Sequence, residues 1–158
     1  FGTSKKVGDQ VYAMVAPQMI DSTHPLYSVN DVFNGISVTG NMLGDVMFYG
    51  AGAGKLPTAS AVVADVVAAV KHQGENVSIT WSAQKLEITP VDEMENRFFV
   101  RVGESEKEKI SEVFGEVQMI EAGIGGECGF ITGPFKEKEF AAKAESFATL
   151  ITRIRVSA

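Results

Sequence analysis

Three glycines alternate with alanines in Gly50-Ala51-Gly52-Ala53-Gly54, directly ahead of a stretch with helical spacing. A loop that lacks side chains at three positions lets a ligand approach the backbone closely. A helix that follows adds unpaired N–H groups and roughly half a positive charge at its start. Together they can hold an anionic or polar ligand group. The same spacing also serves plain close packing of a helix on a strand, and spacing alone leaves both readings open. Two sharper motifs fail. A dinucleotide fingerprint G-x-G-x-x-G starting at Gly50 needs glycine where Lys55 stands. A phosphate-binding G-x-x-x-x-G-K-[ST] needs glycine at Tyr49 and Ser or Thr at Leu56.

The other reactive residue types are sparse. His24 precedes Pro25 in a segment read as extended, with no Ser, Cys or Asp constellation beside it, so it reads as structural. His72 reads as a helix-end residue. Two histidines and one cysteine, far apart in sequence, predict no metal site. Cys128 lies in an apolar strand and reads as a buried, inert thiol, and a single cysteine excludes an internal disulfide. No residue of the chain is assigned a catalytic role. The net charge of −6 excludes a broad nucleic-acid surface. The longest apolar stretch, Ala59 to Val70, is too short to span a bilayer. A soluble cytoplasmic protein is the expectation.

The elements that must position the glycine loop follow from periodicity. Val11 to Val15 reads as a buried strand limited by Pro17. Phe33, Ile36 and Val38, the turn residues Gly40-Asn41, and Val46 to Tyr49 read as a hairpin that runs into the loop. A helix is predicted to start with Pro57 at its first position. Ala59, Val62, Val63, Val66, Val67 and Val70 form its apolar spacing, and Gly74 stops it. Val77 to Trp81 reads as a further strand.

The residues around the loop do more than match a generic turn. His24-Pro25-Leu26-Tyr27-Ser28-Val29, Val32-Phe33-Asn34-Gly35-Ile36, and the run from Met47 through Gly50-Ala51-Gly52-Ala53-Gly54-Lys55-Leu56-Pro57-Thr58 to Asp65 strongly resemble the C-terminal part of the homoserine dehydrogenase catalytic region. The resemblance covers roughly residues 11–72. It implies an enzyme that interconverts aspartate semialdehyde and homoserine with NADP or NAD, on the route to threonine and methionine. In that family the last glycine of the loop lies against the cofactor and matches Gly54, so Gly52, Ala53 and Gly54 are the implied cofactor contacts. The residue at Ala51 is a mild departure from the family pattern. The family's Rossmann domain, catalytic lysine and substrate-binding acidic residues precede the matching segment, so Lys5, Lys6 and Lys55 receive no such role. The chain is therefore expected to be a part of a longer enzyme, to hold no cofactor tightly by itself, and to form a homo-oligomer together with that upstream portion. A free-standing regulatory or oligomerisation module without activity is the alternative.

Charge changes along the chain. Residues 1–90 carry 5 Lys+Arg and 7 Asp+Glu, whereas residues 91–158 carry 9 and 13 in a shorter stretch, with all four arginines and seven of the ten phenylalanines. This places a boundary near Thr89 to Glu93 and divides the chain into 1–90 and 91–158. In the second part, Arg97 to Val102 alternates as a strand. Ser105 and Glu108 have capping-box spacing for a helix that Gly115 closes. Val117 to Ile124 and Cys128 to Thr132 read as strands about a Gly125-Gly126 turn. Phe140, Ala144 and Phe147 mark a second helix, and Thr152 to Val156 a last strand. The predicted fold class is α+β: a partial mixed α/β catalytic-region unit followed by a βαββαβ, ferredoxin-like domain. That order resembles an ACT domain, which implies threonine as an effector. Gly103-Glu104-Ser105-Glu106-Lys107 lacks the Pro-Gly turn of that family, so a module that serves only for pairing stays open beside a sensor.

Overall fold

A computed structural model describes residues 1–75 and 78–157. In chain order the elements are β1 (Gly2–Val7), β2 (Gln10–Val15), β3 (Gln18–Met19), β4 (Phe33–Gly40), β5 (Gly44–Ala51), α1 (Lys55–Lys71), β6 (Glu95–Gly103), α2 (Lys107–Phe114), β7 (Val117–Ile120), β8 (Glu127–Thr132), β9 (Phe135–Lys136), α3 (Glu137–Ala144) and β10 (Thr152–Val156). The chain is a mixed α/β protein. Its contacts gather into two compact units, Phe1–Ile20 with Gln84–Ala158, and Asp21–Ala83. The first twenty residues thus group with the C-terminal part, unlike the division at residue 90 read from charge. The physical reason is pairing: β3 lies parallel to β10, and Thr89 N–H donates to Val11 O at 2.7 Å.

In the larger unit, β10, β6, β8 and β7 lie side by side in that order, with β3 beyond β10 and the short β9 paired to β6. Alternation along β6 sends Phe98, Val100 and Val102 to one face. There they meet Phe130 and Cys128 of β8, Ile110 and Phe114 of α2, and Phe140 and Ala144 of α3. The phenylalanines stack: Phe98 lies 3.7 Å from Phe140 between ring centroids, and Phe114 touches Phe130, Phe140 and Phe147 at 5.5–5.7 Å. Such pairs add roughly 0.5–1.5 kcal/mol each beyond the area they bury. Phe147 is buried although α3 ends at Ala144, so the helix is shorter than the spacing predicts. Thr132 is the buried polar residue of this core. Its hydroxyl donates to Gly133 O and accepts from Phe98 N–H, so it is satisfied.

Two local expectations fail here. The Ser105–Glu108 box does not form. A short helical turn over 104–106 precedes α2, and Glu106 stands at its N-cap with its side chain used elsewhere. Its carboxylate accepts from Ala148 N–H, Thr149 N–H and the Thr149 hydroxyl, which ties the turn before α2 to the loop before β10. The β7 strand stops at Ile120, four residues short of the sequence reading. Arg155 and Arg153 of β10 project on the core side, where Arg155 pairs with Glu137 and Arg153 lies over the Phe140 ring.

The smaller unit is built from the β4–β5 hairpin and α1. The hairpin matches the sequence reading, with Gly40 opposite Gly44 at its tip. Ahead of it, the chain over 22–28 makes turns rather than the extended segment expected at His24. Trp81 is 83 % exposed, and residues 78–81 are not a strand; Val77 of that expectation lies outside the described residues. No helix among the described residues is long and apolar enough to cross a membrane.

Candidate functional site

The glycine loop sits where β5 hands over to α1. The register pairs Phe33 with Ala51 and Asn34 with Gly50, so the hairpin holds the loop to its last strand residue. Beyond it, Gly52 N–H and Ala53 N–H both donate to Val32 O, at 3.2 and 3.3 Å. These two amides therefore serve the loop's own shape. Gly54 then adopts φ 103 and ψ 157 as the N-cap of α1. That conformation is nearly closed to residues with a side chain, so glycine at 54 is required by the backbone itself.

The helix starts at Lys55, two residues before the predicted position. Pro57 falls third rather than first, and still costs no hydrogen bond. The first amide with an intrahelical acceptor is Thr58, which reaches Gly54 O at 3.2 Å, while the Thr58 hydroxyl donates to the same oxygen at 2.9 Å. No acidic residue lies in the first turn, and Lys55 adds a positive charge there. With no acidic residue in its first turn, the N-terminal end of α1 favours an anion or a polar group. Gly52 marks a second close approach: an ideal Cβ there would fall 1.9 Å from Asn34 Nδ2. The surroundings are small and aromatic, with Phe33 and Tyr49 stacked at 5.0 Å. Asn34 is the residue of this site that sequence reading missed. Its signal was present in the register, which puts position 34 across from Gly50 once the hairpin is drawn.

The remaining candidates lie elsewhere. His24 Nδ1 accepts from Leu26 N–H at 3.1 Å, within a turn that Asp21 also supports. The Thr23 hydroxyl and amide hold the Asp21 carboxyl below its usual range. His72 Nδ1 lies 2.8 Å from Ala68 O at the end of α1. Cys128 is 7 % exposed, and burial pushes its thiol above its ordinary value. Neither histidine is near the cysteine in sequence, and no group of three or more His, Cys, Asp or Glu side chains gathers among the described residues. An open cavity of about 430 Å³ is lined by Arg97, Gln118, Ile131 and Thr132 in the larger unit, and contains no residue of the loop.

Comparison with known proteins adds an independent line. Residues 2–67 match the family model described as homoserine dehydrogenase. A homoserine dehydrogenase of Synechocystis sp. is 39% identical over 108 residues, 63% of this chain and 25% of that protein. One from Lactococcus lactis is 44% identical over 72 residues, 46% of this chain and 17% of that protein. The chain thus spans about a quarter or less of the length of these curated relatives. Among solved structures, a homoserine dehydrogenase from Thiobacillus denitrificans superposes with a TM-score of 0.76 at 22% identity, covering 99% of this chain and 41% of that one. The Staphylococcus aureus enzyme at pH 7.5 gives 0.69 at 24% identity, over 99% and 40%. At those identities the superpositions establish the fold. Residues 2–67 thus match the homoserine dehydrogenase family model, and the chain spans only a part of the homoserine dehydrogenases it resembles.

Proposed function

We propose that this chain supplies the cofactor-contacting loop of a homoserine dehydrogenase, an oxidoreductase that interconverts aspartate semialdehyde and homoserine in threonine and methionine biosynthesis. Gly52, Ala53 and Gly54 lie against NADP or NAD in that reading. The carrying observation is Gly54, whose φ of 103 leaves the loop's turn into α1 free of any Cβ. The residues present fit such a group: side chains at 51 and 53 are single methyls, and the glycine at 50 opens to free space. When bound, the cofactor supplies the hydride. Val32 O fixes the loop through two amides, and the first turn of α1 offers unpaired N–H groups to a polar part of the ligand. No catalytic group is assigned to this chain, since the family's lysine and acidic residues belong to the portion upstream.

The test is Gly54→Val in the complete enzyme. A β-branched residue cannot hold that backbone conformation without strain. The expected result is a KM for the cofactor raised about tenfold or more in an enzyme that still folds, at a melting temperature lowered by the backbone strain. An unchanged KM would return the loop to plain helix-on-strand packing.

We infer further that the complete enzyme is a soluble, cytoplasmic homo-oligomer. Every described residue of the smaller unit is at least partly exposed, including Ile36 and Phe48 at 63 % and Val62 at 58 %, which supports a covering partner surface from upstream chain or a second copy. Residues 91–158 are read as an ACT-like regulatory module. The β10–β6–β8–β7 order, with both helices on one face, supports this. Threonine is the effector to test. Titration calorimetry with threonine gives a saturable heat if the module senses it, and a flat trace removes the sensor role.

A further inference from the structure

We propose that the carboxamide of Asn34 is a ligand contact at the Gly52–Gly54 loop and faces the carboxamide of a nicotinamide ring; this rests on the cofactor reading of that loop. The geometry starts from Gly52. An ideal Cβ at that position would lie 1.9 Å from Asn34 Nδ2 and 3.1 Å from Asn34 Cγ. The Asn34 carboxamide thus stands in the space that a side chain at 52 would fill. Glycine at 52 is what admits it.

The hydrogen-bond inventory gives that carboxamide a purpose. Val32 O consumes the Gly52 and Ala53 amides, so those amides are turned to the chain's own backbone. Among the described residues no hydrogen bond engages the Asn34 side chain, which is exposed beside the loop. It therefore carries the polar atoms available at this point of the loop: one acceptor and two donors. That set is neutral and self-complementary. It pairs with another carboxamide, which also has one acceptor and two donors, whereas a phosphate, which offers acceptors, would leave the Asn34 oxygen without a donor. Position 34 is held in place by pairing with Gly50, and the neighbouring Phe33–Tyr49 stack stiffens the strand ends. Asn34 is thus a specificity residue for the ring amide rather than for the phosphates.

The experiment measures binding, not turnover. Calorimetric titration of the complete enzyme compares the natural oxidised cofactor with its 3-acetylpyridine analogue, which keeps the ring carbonyl and lacks the amide N–H donors. The unchanged enzyme is expected to prefer the natural cofactor. Asn34→Ala is expected to weaken that cofactor about tenfold, as the loss of one or two amide hydrogen bonds would, and to abolish the preference. Gly52→Ala, which drives a methyl into the carboxamide, is expected to do the same. If Asn34→Ala does not fold, Asn34→Leu replaces it, since it keeps nearly the same shape and loses both the donors and the acceptor.

Equal weakening of both ligands would reduce Asn34 to loop packing and overturn the proposal. Unchanged affinity in Asn34→Ala, with Gly54→Val weakened, would overturn it while leaving the loop as the cofactor contact. Unchanged affinity in both variants would remove the cofactor reading and this inference with it.

Discussion

The two units treat their apolar residues in opposite ways. Residues 84–157 gather five phenylalanines behind a sheet, each no more than 5 % exposed. Residues 21–83 carry Ile36, Phe48, Leu56, Val62, Val63 and Val66, and leave all of them more than half exposed. The 17 residues of α1 contain no buried position, although its valines recur at helical spacing. Helical stability in proteins comes mostly from packing an apolar face. The larger unit therefore carries its own core, whereas the smaller one has the pattern of a core without its other half. Periodicity in a sequence reports where a residue is meant to be covered, not what covers it.

Breaking that contrast has its largest effect in the core. Phe140→Ala removes a side chain 1 % exposed and stacked on Phe98, and should cost about 3–5 kcal/mol. Phe48→Ala in the same chain should stay within about 0.5 kcal/mol. Denaturant melts of the two variants make the comparison. An equal loss at Phe48 would mean the smaller unit is buried in solution, and the contrast would fall.

A smaller effect sharpens the picture at the surface of the larger unit. The Thr149 hydroxyl and amide, then the Ala148 amide and Lys109, hold Glu106 below its ordinary value of 4.5. A carboxyl depressed on folding contributes stability above its unfolded value and loses it as the pH falls through the folded one. Melting temperature should therefore fall more steeply below about pH 4.5 in the unchanged chain than in Glu106→Gln. Parallel pH profiles would show that the clasp between the two loops carries no linkage.

Much of this was legible in sequence, and the misses share a cause. The β4–β5 hairpin followed from Gly40-Asn41 between two apolar runs, and β6, α2, β8, α3 and β10 followed from periods of two and 3.6. What failed depended on distant partners. Ser105 has the spacing of a cap, yet Glu106 is drawn to Thr149, forty-three positions away. Phe147 keeps helical spacing with Phe140, yet packs from beyond the helix end. Val77 to Trp81 has strand composition, and the described part of it finds no neighbouring strand. At the candidate site the glycines were legible because their role is local. Asn34 was not, because its closeness to Gly52 exists only after the hairpin closes.

The two-residue parallel pair of β3 with β10 sets where this polypeptide can be cut. Arg155 sits opposite Gln18 and Val156 opposite Met19, and Ser157 N–H donates to Met19 O at 2.9 Å. A piece beginning at residue 91 would leave that side of β10 with bare donors and acceptors, a template for another chain to add on. A soluble excised module should instead keep the first twenty residues, joined to residue 84 by a short linker in place of the hairpin and α1.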